Sequence, residues 1–394
     1  MPQNFFIEVN CQQKQHNGER ICGDVFLSQR VSGEERTIVV LSDGMGHGVK
    51  ANVLATLTAT MALNFTKEHK EINKIADIIM NTLPVCSVRQ MSYSTFTIID
   101  IEHNGTTRIL EYDNPECLIL RGKEKLEPGW QCVILQSDTN AGKELRYCTF
   151  TPQLEDRIVI WGDGITQSGM GSDDYPFGWG IDNAQEFALR LVKNEPSISA
   201  RKLSTKLVNL AYVNDGYHPK DDISAATIYF REPRKLLVCS GPPFDKENDS
   251  KLAAIFNDFK GKKVICGATT GDIISRELNL EIEDSFEFTD PDLPPISHME
   301  GADLVTEGIL TLSKVAEILN KHTENSSLGK GPADLIVKLI LESDDIHFIV
   351  GTGINVAHQD PNLPVELEIR RTVIKRMAQI LEDKFLKEAK LTFL

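Results

Sequence analysis

No Cys-x-x-Cys pair occurs among the eight cysteines, which lie scattered at Cys11, Cys22, Cys86, Cys117, Cys132, Cys148, Cys239 and Cys266. Zinc ribbons and dithiol redox motifs both need that pairing, so neither is supported. Cysteines inside apolar runs, such as Val238-Cys239 and Ile265-Cys266, are expected to behave as small hydrophobes. No apolar run approaches the roughly 20 residues that span a bilayer. The start, Met1-Pro2-Gln3-Asn4-Phe5-Phe6, lacks the basic residues and long apolar stretch of a secretion signal, so cytoplasmic residence is expected. Nothing ahead of residue 1 reads as a sensor, and an attached N-terminal receptor is not expected. Base is short as well: 42 Lys and Arg face 57 Asp and Glu, a net charge of −15. That charge repels phosphate backbones and anionic lipid, so neither nucleic acid nor a membrane is expected as a partner. Repeats and low-complexity tracts are absent.

At 394 residues, 41% of them apolar, the chain is long enough for two or three domains. Thr37–Leu41 is a continuous apolar run that ends at Ser42-Asp43, the mark of a buried strand feeding a loop. Helices are predicted over Val49–Phe65 and over Glu71–Leu83, the latter stopping before Pro84. Ser94–Glu102, Arg108–Tyr112 and Cys117–Arg121 read as strands, separated by Asn104-Gly105 and Asp113-Asn114-Pro115. An antiparallel meander is the economical arrangement. Arg157–Trp161 is a second buried strand, then come helices Ala184–Lys193 and Ala200–Tyr212 and a strand Ile223–Phe230. The pattern changes near Arg231-Glu232-Pro233-Arg234, so domains 1–233 and 234–394 are expected. The second reads as a small α/β domain with some parallel sheet. Its elements are strands Lys235–Ser240, Lys263–Cys266 and Ile346–Val350, a helix Ser250–Phe259 capped by Ser250, and an amphipathic helix Glu366–Phe385 with Ile369, Val373, Met377, Ile380 and Leu381 on one face.

Four acidic positions stand out where strands begin or end. They are Gly23-Asp24, Asp43-Gly44-Met45-Gly46-His47-Gly48, Gly162-Asp163-Gly164 and Asp221-Asp222-Ile223-Ser224. One Asp-Gly pair is an ordinary turn. Four, each joined to an apolar strand, suit hard divalent cations, which take oxygen ligands. Clustered carboxylates repel one another unless cations neutralise them, and two cations sharing a water make it a nucleophile at neutral pH. Glycines beside Asp43 and Asp163 are read as allowing sharp turns. Met45 is expected to support the following helix. His218, Asp138 and Asp173-Asp174 read as loop residues. In the second domain, Gly267-Ala268-Thr269-Thr270-Gly271-Asp272 and Gly351-Thr352-Gly353 follow strands. They read as plain turns or as the lining of one small-ligand cleft.

The order of these motifs resembles the PPM (protein phosphatase 2C-type) metal-dependent serine/threonine phosphatases. Asp-Gly-Met-Gly-His-Gly at Asp43–Gly48 looks like the SpoIIE branch, which acts on regulators of alternative sigma factors. Supporting matches are Asp113-Asn114-Pro115-Glu116 and Pro176-Phe177-Gly178, and the resemblance covers about residues 1–233. It implies an α+β fold, an antiparallel β-sandwich flanked by helices, with two Mn²⁺ or Mg²⁺ ions at one end. Asp24 and Asp43 would hold them, Asp43 bridging and the Gly44 carbonyl assisting, with Asp163 and Asp221 completing the second ion's shell. Asp221 aligns with the ligand position better than Asp222. A metal-bound hydroxide would attack phosphorus on a phosphoserine or phosphothreonine of a regulatory protein, such as an antagonist of an anti-sigma factor. His47 is either the general acid for the leaving oxygen or a brace for its loop. Two departures from the family pattern are noted. Arg20, the nearest candidate for its phosphate-gripping arginine, is out of register, and Thr166-Gln167 replaces Thr-Glu. The second domain would sense a signal, hold a partner or aid homodimerisation. Rival readings are a binding module without turnover and a ligand-sensing regulator with the phosphatase as its output.

Overall fold

The computed structural model describes residues 5–31, 36–68, 78–82, 94–102, 105–135, 142–285, 287, 289–323, 326–353, 364–385 and 387–394. Contacts divide the chain into two units, Met1–Glu232 and Pro233–Leu394. The strands of the first unit are β1 (Phe6–Lys14), β2 (Val25–Val31), β3 (Arg36–Gly44), β4 (Ser94–Ile101), β5 (Thr107–Tyr112), β6 (Leu118–Arg121), β7 (Glu124–Lys125), β8 (Gln131–Ile134), β9 (Glu144–Phe150), β10 (Arg157–Trp161) and β11 (Ile223–Arg231). They form two sheets, ordered β1-β11-β10-β6-β7 and β2-β3-β4-β5-β9-β8, and every pairing is antiparallel. The inner faces meet through Val39, Leu41, Ile99, Ile109, Ile119, Ile158, Ile160, Ile228 and Phe230.

Helices cover both outer faces. The helix Gly48–Lys67 packs Ala59 and Ala62 against Ile38, Val40, Ile98 and Leu110. Helices Ile181–Asn194 and Ala200–Asn214 pack Ala184, Leu203 and Leu207 against Val159, Trp161 and Ala225. Covered on two sides, β3 and β10 bury successive residues rather than alternate ones, which is why each carries four consecutive apolar residues, Ile38–Leu41 and Ile158–Trp161. Of the helix predicted over Glu71–Leu83, residues 78–82 are helical and the remainder lies outside the described residues, as does Asp138.

The predicted meander breaks after β5. Its free side is taken by β9, and β6 crosses to the other sheet to pair with β10. Asp113 turns the chain with a positive φ of 59°. Asn114 then anchors the crossing: Thr95 Oγ1 donates to its Oδ1 at 2.5 Å, and its Nδ2 donates to Thr97 Oγ1 at 3.0 Å. Trp161 Nε1, from the second sheet, donates to the Glu116 carbonyl at 3.2 Å.

Beside this crossing lies Glu111, 3% exposed, which accepts the Cys117 N–H on Oε1 at 2.9 Å while Oε2 has no partner. Burial pushes its carboxyl up to about 7, against the pull of Cys117 and Arg146. An unfolded glutamate ionises near 4.3. The folded chain therefore keeps a proton that the unfolded chain has lost, so this contribution is full below pH ~4 and disappears as pH rises through about 7. Glu111→Gln should remove the loss. In urea unfolding the variant should match the native chain near pH 4 and exceed it at pH 8 by roughly 1–3 kcal/mol. A constant difference across that range would contradict the account.

The second unit alternates strands with helices. Five parallel strands, β12 (Lys235–Ser240), β13 (Lys262–Cys266), β16 (Leu304–Thr306), β17 (Asp345–Val350) and β18 (Glu388–Phe393), lie in the order β16-β13-β12-β17-β18. Short strands β14 (Ile282–Asp284) and β15 (Ser297–Met299) extend it antiparallel beyond β16. Helices Asp249–Asp258 and Ala268–Leu278 cover one face through Leu252, Phe256, Ile273 and Ile274. Helices Ile309–Lys321, Pro332–Glu342 and Pro364–Phe385 cover the other. This is a doubly wound sheet, whose strand order reverses between β12 and β17.

At that reversal Gly241 and Gly351 approach so closely that a Cβ on Gly351 would lie 2.2 Å from the Gly241 carbonyl, and Arg370 Nη1 donates to Gly351 O at 3.4 Å. Gly267 leads straight into its helix. Ser250 is not a cap: the helix starts at Asp249, and Ser250 Oγ donates to the Glu247 carbonyl at 3.4 Å. Of the predicted apolar face on Pro364–Phe385, Met377 and Leu381 are fully buried while Ile369 is 40% exposed. No helix among the described residues is long and apolar enough to cross a membrane.

Candidate metal centre

Each sheet delivers two aspartates to one region. Asp24 immediately precedes β2 and Asp43 sits near the end of β3, both in the six-stranded sheet. In the five-stranded sheet, Asp163 opens the short helix Asp163–Thr166 after β10, and Asp221 lies just ahead of β11. Asp43, Asp163 and Asp221 line a cavity of about 290 Å³ with Met45, His47 and Lys220. Asp24 lies deeper, 3% exposed, and accepts from Ser224 Oγ on Oδ2 at 2.5 Å.

The electrostatics show how closely these acids sit. Burial raises the Asp24 carboxyl well above its usual range, and Asp222, Asp163 and Asp221 add to the rise. Asp43 is raised by burial and then by Asp24, Asp163 and Asp221, and its carboxyl shares a hydrogen bond with that of Asp163. Burial also raises Asp163. Asp221 is pushed up to about 6 by burial and by Asp163. Four buried carboxylates brought together repel one another unless protons or cations neutralise them.

The glycines serve a different purpose from the sharp turns read in the sequence. Gly44 lies within β3, and a Cβ there would stand 2.1 Å from the Ala51 carbonyl, so glycine lets the helix Gly48–Lys67 dock on the strand. At Gly162 a Cβ would lie 3.0 Å from Asp24 Oδ2 and 3.9 Å from Asp43 Oδ2. Glycine there leaves open the space between two carboxylates from different strands. Left-handed backbone occurs further on, at Gly46 with φ 92° and Gly48 with φ 71°.

An all-oxygen donor set around room kept free by Gly162 fits hard divalent cations in kind. Among the described residues, however, no group of three or more acidic, histidine or cysteine side chains is spaced to hold an ion. Asp221 and its neighbour diverge: Asp221 lines the cavity, whereas Asp222 is 2% exposed and accepts the His16 N–H on Oδ1 at 3.0 Å. Asp222 Oδ2, without a partner, lies where a Cβ on Gly23 would be 2.5 Å away.

Sequence reasoning missed Lys220 and gave lesser parts to Gln167 and Met45. Gln167 Nε2 donates to Asp163 Oδ2 at 2.8 Å, a bond that an ionised glutamate could not make, so the departure from Thr-Glu has a structural use. Lys220 is a cation on the cavity wall, its Nζ donating to the Met170 carbonyl at 2.6 Å; Arg20 is not on that wall. Met45 lines the cavity rather than only supporting the helix. His218 Nδ1 lies 2.8 Å from the Gly216 carbonyl, as suits a loop residue.

Several solved structures are similar. The phosphatase domain of the cell fate determinant SpoIIE from Bacillus subtilis matches at 14% identity, covering 58% of this chain and 93% of that one, with a TM-score of 0.44. The SiaA-PP2C domain of Pseudomonas aeruginosa matches at 15%, over 56% and 85%, with a TM-score of 0.42. The Mycobacterium tuberculosis serine/threonine phosphatase PstP/Ppp matches at 12%, over 57% and 99%, with a TM-score of 0.39. No curated protein matches. The family model of SpoIIE, Stage II sporulation protein E, matches residues 33–231, just over half of the chain and all of the acidic positions except Asp24. The chain belongs to the SpoIIE family of PPM-type phosphatases.

Proposed function

We propose that this chain is a metal-dependent phosphatase that hydrolyses phosphoserine or phosphothreonine on a regulatory partner protein. The observation that supports this most is the meeting of Asp24, Asp43, Asp163 and Asp221 from four distant segments at one end of the sandwich. These four, with the Gly44 carbonyl, would hold two Mn²⁺ or Mg²⁺ ions, and Asp222 serves its loop instead. Bound there, the ions acidify a water and neutralise phosphoryl oxygens. On this reading His47, on the cavity wall, gives a proton to the leaving serine oxygen. Lys220 is placed to hold the phosphate, the part that Arg20 does not take.

The family suggests an antagonist of an anti-sigma factor as the substrate class. The second unit, a doubly wound sheet, is proposed to regulate the first or hold its partner. The test is phosphate release from a phosphoserine peptide and from p-nitrophenyl phosphate with MnCl₂ and with chelator. Turnover only with metal is expected, and none in either condition would overturn the reading. A fold that binds phosphoprotein without turnover is the second reading, favoured by the lack, among the described residues, of three ligating side chains spaced around one ion; it requires no heat of Mn²⁺ binding by calorimetry. For Lys220→Ala, kcat/KM on the phosphopeptide should fall about 10- to 100-fold, mostly through KM, the usual loss for a hydrogen bond to a charged group. An unchanged KM would remove Lys220 from the phosphate site.

A further inference from the structure

We propose that Glu19 and His16 are positioning residues for His47, fixing one ring nitrogen so that the other faces the cavity. The loop before β2 lies against the start of the helix Gly48–Lys67. His47 Nδ1 and Glu19 Oε1 are 2.8 Å apart, and with the carboxylate accepting, Nδ1 carries the hydrogen. The His16 ring stacks on the His47 ring at 4.2 Å between centroids and 9° between planes. This loop is itself held. The His16 N–H donates to Asp222, the Asn17 N–H donates to the Pro219 carbonyl at 2.9 Å, and Asn52 Nδ2 donates to the Cys22 carbonyl at 2.8 Å. A Cβ on Gly48 would lie 2.5 Å from Glu19 Oε2, so the carboxylate is seated at the head of a helix with no acid in its own first turn. Negative charge there is favourable for the helix dipole.

The inference rests on the phosphatase reading above. With Nδ1 committed to Glu19, Nε2 is the nitrogen that can serve the leaving group. As water oxygen bonds to phosphorus, the bond from phosphorus to the serine oxygen breaks. Its electron pair stays on that oxygen, which takes the Nε2 proton of the doubly protonated His47 ring and leaves the Nδ1–H form held by Glu19. The attacking water loses its proton to solvent, His47 regains one from solvent, and the products are serine and inorganic phosphate.

The experiment compares the full chain with Glu19→Gln, Glu19→Asp and His16→Ala on two substrates. A phosphoserine peptide has a poor leaving group that needs the proton, whereas p-nitrophenolate leaves without one. For Glu19→Gln the loss in kcat on the peptide should exceed the loss on p-nitrophenyl phosphate by at least about tenfold, within the usual scale of general acid catalysis. Glu19→Asp should recover part of it, and His16→Ala should show the same preference more weakly. In the metal-free protein, the ¹⁵N signals of the His47 ring should report hydrogen at Nδ1, and should move in Glu19→Gln. Equal losses on both substrates, or unmoved ring signals, would overturn the proposal. A native chain inactive on p-nitrophenyl phosphate would overturn the parent reading first, and this one with it.

Discussion

Asp43→Ala should reduce Mn²⁺-dependent turnover by about 10²- to 10³-fold or more, while the metal-free protein melts no lower than the native chain. Both halves follow from one position. Asp43 stands between Asp24 and Asp163, the neighbours that raise its carboxyl after burial itself. On the proposed reading, a bound cation pair would lose its shared carboxylate when Asp43 is removed. The metal-free fold loses only a buried carboxyl that sits at a cost beside Asp24 and Asp163. Calorimetry should accordingly find weakened Mn²⁺ binding and an unchanged or raised melting temperature. Retained turnover would place the chemistry elsewhere, and a lowered melting temperature would make Asp43 a structural residue.

Asp100→Ala should lower the melting temperature of the first unit by about 10 °C or more, the result of breaking a buried ion pair at ~3–5 kcal/mol. Arg36 on β3 is 2% exposed, and its Nε donates to Asp100 Oδ1 on β4 at 2.7 Å while Nη2 donates to Oδ2 at 2.9 Å. The same guanidinium donates to the Thr66 carbonyl at 2.7 Å, tying down the last turn of the helix Gly48–Lys67. That helix begins beside His47, so turnover should become more heat-labile in step. Asp100→Asn keeps an acceptor and should cost less. Equal melting of Asp100→Ala and the native chain would show the pair to be dispensable.

Much of the sandwich could be read in the chain because the signal there is physical. Ile38–Leu41 and Ile158–Trp161 are apolar throughout since helix and sheet cover both faces. The acids were visible from the glycines beside them, although Gly162 is there for the room it leaves and not for a turn. What was not legible depends on distant partners. Nothing local tells that β6 changes sheets, because β9, some twenty residues later, occupies its place. Lys220 carries no mark separating it from any surface lysine until β11 brings it to the cavity. Of the helices in the second unit, Ile309–Lys321 has Leu312, Val315, Ala316 and Leu319 at helical spacing, and Pro332 opens the next one, so both had a readable signal. The three-residue strands β14, β15 and β16 are too short to show a period.

The pairing of β1 with β11, from Phe6 opposite Arg231 to Lys14 opposite Ile223, has a consequence for assembly. During synthesis the first strand waits, unpaired on this side, for one more than two hundred residues behind it, and such distant closures are slow to form. Asp221 arrives with that last strand. On the proposed reading, a nascent chain would own three of the four acids before it could grip a cation, and capture of the ion would report completion of the first unit.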